Sequence, residues 1–341
     1  MTDRERQILK VVEDVEKISD LRVLFNGDAE TRYREMVKII HPDRLRGVEA
    51  GLRSRATQAC SRLTEMYQRL TKSDPSTTSA KLVGRWVVER ALTQGDLSVV
   101  YEVTSDYYDD TETPAIMKIV DDPGDNDLME SEAKVLQSLQ DETLPKSYRR
   151  YVPYLLATFL ADGRRVNVMT GDLKSNTLEH LRSMFRSGIP FRHVVWMLNR
   201  SLSALALLHN LGVCHGAVLP EHLIFSPSTH GHLLLDFTCS TSFANKVPLI
   251  VKNRKHLYPP EILGSKSKAG PTTDLYMLAK SMMWAAGKIP ERFRNFFEWM
   301  TLESTSSRAS RAFEVQDLLK QLAQEEYGPP TFVPLELPKT V

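Results

Sequence analysis

Tyr33-Arg34-Glu35-Met36-Val37-Lys38-Ile39-Ile40-His41-Pro42-Asp43-Arg44 decides the fold of the first fifth of this chain. Tyr33, Met36, Val37 and Ile40 recur at spacings of three and four, one stripe of a helix. Arg34 and Lys38 are four apart and share another, solvated face. Asp28 is placed to cap the helix start. Pro42 disfavours helical backbone at His41, so the helix ends near Ile40. A second helix follows over 48–70, with Leu52, Ala56, Ala59, Leu63, Met66, Tyr67 and Leu70 as its inner stripe. Upstream, Ile8, Val11, Val12 and Val15 predict another short amphipathic helix. Taken alone, His41-Pro42-Asp43 is only a turn, because Pro-Asp is a turn dipeptide.

Between two amphipathic helices, however, this stretch resembles the end of the second helix and the loop of a J-domain. J-domains are the co-chaperone modules that stimulate ATP hydrolysis by DnaK-type chaperones. The resemblance implies an all-α J-domain, an antiparallel helical hairpin, over residues 1–72. Its chaperone-binding residues would be His41, Pro42, Asp43, Arg34, Lys38 and Arg44. The aromatic-leucine pair that opens the family's first helix is only faintly echoed at Leu21 to Phe25. Between Arg32 and Lys72 there are ten Lys or Arg against four Asp or Glu, an excess that suits an acidic chaperone surface. The plainer reading of such a run is a solvated helical face. Nucleic acid is the weaker partner class, because aromatic interleaving is missing and the whole chain carries a formal charge of only +1.

At 341 residues the chain suits one large domain and one small one. Met1-Thr2-Asp3-Arg4-Glu5-Arg6 is charged and lacks the apolar core of a signal peptide. No run approaches the roughly 18 apolar residues of a membrane span. Cys60, Cys214 and Cys239 show no paired spacing, which suits free thiols in a reducing cytoplasm. Together these features predict a cytoplasmic protein without a membrane partner. A polar linker at 73–82 precedes a change of pattern. Val83 to Val103 and Pro114 to Val120 are strand-like, and helices dominate from about Asn199 onward. Strands first and helices after indicate an α+β, two-lobed domain.

Over residues 83–325 that organisation resembles a protein kinase. Leu92 to Val100 sits where the glycine-rich loop belongs. Ala115-Ile116-Met117-Lys118 matches the strand bearing the phosphate-pairing lysine, and Glu132 matches the helix glutamate that pairs with it. Leu208-His209-Asn210-Leu211-Gly212-Val213-Cys214-His215-Gly216 resembles the approach to the catalytic loop. Leu233-Leu234-Leu235-Asp236-Phe237-Thr238 resembles the strand leading to the Asp-Phe-Gly magnesium motif. Tyr258-Pro259-Pro260-Glu261 looks like the end of an activation segment, and Asp274 to Ala279 like the start of the next long helix.

The departures from that pattern fall on the chemistry. Kinases use a catalytic-loop aspartate to orient the attacking hydroxyl and an asparagine five residues later to bind a second magnesium ion. In His215-Gly216-Ala217-Val218-Leu219-Pro220-Glu221-His222, Ala217 takes the place of the base. Leu219 takes the place of the lysine, and His222 that of the asparagine. Magnesium prefers oxygen ligands, which His222 does not offer. Of the phosphate-loop glycines only Gly95 remains, with Thr93 and Ser98 at the others, and Thr238 follows Asp236-Phe237. Four altered parts predict a pseudokinase, that is, no enzyme, with a degenerate loop at His215, Ala217, Leu219 and His222 and no catalytic residue.

Lys118, Glu132, Asp236 and Gly95 remain able to hold ATP with magnesium; the alternative is a Lys–Glu pair that only braces the small lobe. Asp274 is expected to support the catalytic-loop backbone, and Glu261 to pair with Arg308 or Arg311. His209, Cys214, His215, His222, His230, His232 and Cys239 lack the tight spacing of a metal site, so no metal site is expected. The Pro-containing tail, 326–341, is expected as a strap on the large lobe.

The resulting expectation is a J-domain co-chaperone. Its kinase-like domain would bind an unidentified client or scaffold protein and deliver it to a DnaK-type chaperone. One alternative is an atypical ATP-dependent transferase built on Asp236, Lys118 and Glu132, with Glu221 or His222 recruited near the phosphates. Another is an assembly scaffold that no longer engages a chaperone.

Overall fold

The structure is a computed structural model that describes residues 3–17, 29–41, 44–45, 47–71, 81–95, 97–104, 115–171, 175–264 and 268–338. The chain forms two compact units, Met1–Ala91 with Tyr101–Glu112, and Leu92–Val100 with Thr113–Val341. Each is described by itself.

The first unit opens with three helices, α1 (Asp3–Lys17), α2 (Ala29–Ile40) and α3 (Ala50–Thr71). They share one apolar core of Ile8, Val12, Val15, Ile40, Leu45, Leu52, Ala56 and Leu63, with Tyr33, Met36 and Val37 half-buried against it. The Tyr33 hydroxyl, near the start of α2, lies 3.4 Å from Thr64 Oγ1, late in α3, so these two helices run antiparallel. α2 ends at Ile40, as Pro42 requires. The Arg44 N–H donates to the His41 carbonyl at 2.9 Å, and Leu45 returns to the core. The expected cap Asp28, the Leu21–Phe25 echo, Pro42 and Asp43 lie outside the described residues, as do the side chains of Arg34, Met66, Tyr67 and Leu70.

The first unit continues with β1 (Lys81–Val83), which pairs antiparallel with the base of β2 (Trp86–Gln94). β1 thus begins inside the stretch expected as linker. The far ends of β2 and β3 (Ser98–Thr104) belong to the second unit, whose sheet runs in the order β3, β4 (Ala115–Val120), β6 (Arg164–Thr170) and β5 (Leu155–Ala161). Every residue of β4 is buried. Helix α4 (Asn126–Leu139) packs behind with Met129, Glu132, Ala133, Leu136 and Leu139 inward, and the single turn α5 (Lys146–Arg149) follows it.

The helix-rich part starts with β7 (Asn176–Thr177) and α6 (Leu178–Met184), which the Thr177 hydroxyl caps by accepting the His180 N–H. α7 (Phe191–Asn210) is buried on nearly every face, the mark of an interior helix. Then come β8 (Val213–Cys214), the β9 (Leu223–Ser226) and β10 (Gly231–Leu234) hairpin, and β11 (Thr241–Ser242), which pairs with β8. α8 (Pro260–Leu263), α9 (Pro271–Ala285), α10 (Arg294–Met300) and α11 (Ala312–Tyr327) complete the unit. Beyond α11 the described tail lies along this unit as a strap. The Leu335 side chain is buried and its N–H donates to the Pro227 carbonyl at 3.1 Å. Among the described residues no helix is long and apolar enough to cross a membrane.

Candidate functional site

Lys118 projects from a strand that is buried along its whole length, where a lone ammonium is untenable. Two carboxylates answer it. Lys118 Nζ lies 2.8 Å from Asp236 Oδ1 and 3.1 Å from Glu132 Oε1. Glu132 is itself fully buried and satisfied: Oε1 also accepts the Phe237 N–H at 3.0 Å, and Oε2 accepts Asn167 Nδ2 at 2.9 Å. Asn167 stands on β6 directly across from Lys118. Its Nδ2 also reaches the Met129 carbonyl at 2.8 Å, so it fixes α4 against the sheet.

Asp236 has φ 63° and ψ 81°, left-handed backbone that a non-glycine residue holds only when its surroundings enforce it. The Thr238 N–H and hydroxyl both donate to Asp236 Oδ1. That oxygen therefore takes Lys118 and Thr238 together, while His222 Nε2 lies 3.4 Å from Oδ2. The Asp236 side chain is 30% exposed, and its Oδ2 is engaged by neither Lys118 nor Thr238. Burial opposes charge on both groups of the pair. The neighbouring carboxylates outweigh it for Lys118, held above its ordinary pKa. For Asp236, Lys118 and His222 and the Thr238 hydrogen bond outweigh it, and its carboxyl sits far below the usual range. The pair is ionised throughout the physiological range.

The catalytic-loop segment is built differently. Ala217, Val218 and Leu219 are wholly buried in the core, so the positions of base and lysine face inward. Gly216 has φ 74°, and a Cβ there would stand 2.5 Å from the Cys239 carbonyl oxygen, so only glycine fits. His215 is buried with Nε2 donating to the Leu235 carbonyl at 3.0 Å; burial drives its pKa down to about 4. His222 Nδ1 donates to the Ala217 carbonyl at 2.8 Å, which turns Nε2 toward Asp236. Glu221 is engaged elsewhere, by Arg254 at 3.1 Å. Of the two residues that could have been recruited near phosphates, His222 is at the site and Glu221 is not.

Gly95 closes the β2–β3 turn: its N–H donates to the Ser98 carbonyl at 2.9 Å, so that donor is spent within the loop. Asp274 accepts the N–H groups of His215 at 2.8 Å and Gly216 at 2.9 Å, which is the expected backbone support. Arg308 grips Glu261 with two bonds, 2.6 and 3.2 Å, and Arg311 pairs with Glu314 instead. The histidines of the metal hypothesis each have another role: His209 bonds Asp274, His230 the Val333 carbonyl and His232 the Ile224 carbonyl. Cys214 and Cys239 are buried, and burial pushes the Cys239 thiol up to about 12. In the first unit, His41, Lys38 and Arg44 are exposed at and beside the α2–α3 turn. Asn167 was missed by sequence reasoning, and Thr238 was read only as a lost glycine, since neither residue type shows its role until its partners are seen.

No protein-family model and no curated protein matches the chain. Solved structures do. The kinase domain of Mycobacterium tuberculosis PknI matches with TM-score 0.53 at 15% identity, covering 72% of this chain and 98% of that one. Vaccinia related kinase 3 matches with TM-score 0.59 at 15% identity, covering 80% of this chain and 98% of that one. At such identity the likeness shows the fold: the chain contains an α+β domain of the protein-kinase type. It also corrects the expectation of a non-enzyme. That expectation rested on Ala217, Leu219, His222 and Thr238. Yet the chains matched over nearly their whole length are a kinase domain and a kinase, and the lysine, glutamate and aspartate stand assembled. The substituted loop leaves the Lys118–Glu132–Asp236 charges assembled, and Thr238 braces Asp236 rather than disabling it.

Proposed function

We propose that the kinase-like domain is an atypical ATP-dependent transferase. The observation that carries this reading is the buried Lys118 ammonium bridging Glu132 and a left-handed, partly exposed Asp236. These residues fit a nucleotide with a divalent cation: Lys118 would pair with phosphate oxygens and Asp236 would hold the cation. A bound ATP–magnesium would supply the group to be transferred. His222 replaces the missing base as the proton-exchanging group nearest Asp236; its Nδ1 bond to Ala217 keeps Nε2 in place. Incubation with labelled ATP, magnesium or manganese, followed by mass analysis of the chain and candidate partners, tests the reading. Transfer of a phosphoryl or nucleotidyl group that disappears in Asp236→Asn supports it. Absence of both transfer and ATP-dependent thermal stabilisation refutes it.

A second activity is favoured by the first unit. We propose that its helices form a J-domain which, in the cytoplasm, brings a DnaK-type chaperone to a client or scaffold held by the kinase-like domain. Support comes from the antiparallel α2–α3 pair with His41, Lys38 and Arg44 exposed at its turn. The protein should stimulate the ATPase of a DnaK-type chaperone, and His41→Gln should remove that stimulation. Stimulation unchanged by the substitution, or none at all, leaves only an assembly role, which a chaperone pull-down would identify by its failure.

A further inference from the structure

A cavity of about 380 Å³ lies between the Arg150–Tyr151 turn, α7 and the β9–β10 hairpin. None of its lining residues is acidic. Two guanidinium groups converge in it: Arg150 Nη2 donates to the Tyr151 hydroxyl oxygen at 2.8 Å, and Arg200 Nη1 donates to the same oxygen at 3.0 Å. Among the described residues neither arginine has a carboxylate partner. Two cations bound to one neutral oxygen repel each other, and among the described residues no carboxylate pairs with either. The phenol oxygen has two lone pairs, both taken by the arginines, so its own O–H remains to donate outward. Among the described residues the remaining guanidinium N–H groups and this O–H form a set of donors without an acceptor.

The rest of the lining adds one acceptor and two hydroxyls. His232 is 7% exposed; its Nδ1 donates to the Ile224 carbonyl at 2.9 Å, and its Nε2 is without a hydrogen-bond partner. The Arg200 charge, added to burial, holds both His232 and His230 below their ordinary pKa. The Ser175 and Thr229 hydroxyls complete the rim. With Nδ1 protonated, the unpartnered His232 Nε2 is an acceptor that a water or the P–OH of a singly protonated phosphate would satisfy, while the paired guanidinium groups take anionic oxygens.

We infer that this cavity binds a phosphate monoester carried by a small molecule. A phosphate presents several oxygens to two guanidinium forks and one hydroxyl, which a single carboxylate or halide cannot do. The cavity volume lies at the small end of ligand pockets. The site is separate from the Lys118–Asp236 cluster and does not depend on its function.

The test is thermal stability and calorimetric titration of the full chain with inorganic phosphate and with phenyl phosphate, against chloride at equal ionic strength. Saturable stabilisation is expected with both, more with the ester. Arg150→Ala, at an exposed position, and Arg200→Gln should each weaken binding tenfold or more, while Asp236→Asn leaves it unchanged. A response equal to that of chloride, one surviving both arginine variants, or one lost in Asp236→Asn overturns the inference. Binding of a phosphoserine peptide without binding of either small probe also overturns it, and assigns the arginines to a protein partner.

Discussion

Replacing Lys118 by methionine removes the central cation of a buried cluster and leaves its anions. Glu132 is then the decisive group, since its side chain is 1% exposed whereas that of Asp236 is 30% exposed. Breaking a buried pair from one side costs about 3–5 kcal/mol. The Phe237 N–H and Asn167 Nδ2 still serve Glu132, which places the expected loss at the lower end, about 3 kcal/mol. For a domain of this size that corresponds to a Tm fall of about 6–12 °C. Urea denaturation followed by tryptophan fluorescence suits the measurement, because Trp196, Trp284 and Trp299 all lie in the second unit. The control is the double variant Lys118→Met, Glu132→Gln, which removes cation and buried anion together. A coupling of about 2 kcal/mol between the two positions is expected. A loss below about 1 kcal/mol in the single variant, or simple additivity in the cycle, would refute the reasoning and reduce the cluster to a surface ion pair.

Three other outcomes follow from neighbouring geometry. His215 is neutral in the fold with a pKa of about 4, below its unfolded value of about 6.5, so the unfolded chain binds the extra proton between these limits. Stability therefore falls as pH drops from about 6.5 to about 4, by on the order of 3 kcal/mol, and His215→Gln should flatten that limb in pH-dependent urea titrations. Arg308→Lys loses the two-bond grip on Glu261 together with the Leu302 and Glu303 carbonyls; a loss of about 3 kcal/mol is expected in the same assay. Thr238→Val removes the hydroxyl from Asp236 Oδ1 but keeps the N–H. It should cost about 1 kcal/mol and weaken stabilisation by ATP and magnesium, as read by thermal shift.

The amphipathic helices were legible because burial of Ile8, Val12, Ile40 and Leu63 follows helical spacing. The kinase-type order of Lys118, Glu132, Asp236 and Asp274 was legible because Lys118 sits in a short apolar strand, Glu132 in an amphipathic helix, Asp236 just after an apolar strand and Asp274 in the first turn of a helix. What the sequence hid was contact. Whether Glu261 pairs with Arg308 or Arg311 depends on a fold-back of 47 residues, invisible to local pattern. Thr238 read as the loss of a glycine, whereas its hydroxyl holds Asp236. The non-enzyme expectation gave the four altered parts more weight than the Lys118, Glu132 and Asp236 charges that remain, and the contacts that assemble those charges are not visible in the sequence. Arg150 and Arg200 carry no motif at all, and only the shared Tyr151 oxygen brings them together.

The inward-facing loop at 215–219 also bears on how this chain can change. Restoring aspartate at Ala217 would place a carboxylate at a wholly buried position, at a desolvation penalty of several kcal/mol. Restoring arginine at Gly216 would drive a Cβ into the Cys239 carbonyl. An engineered His-Arg-Asp motif would need both changes at once, and its design would have to begin with the backbone around Cys239.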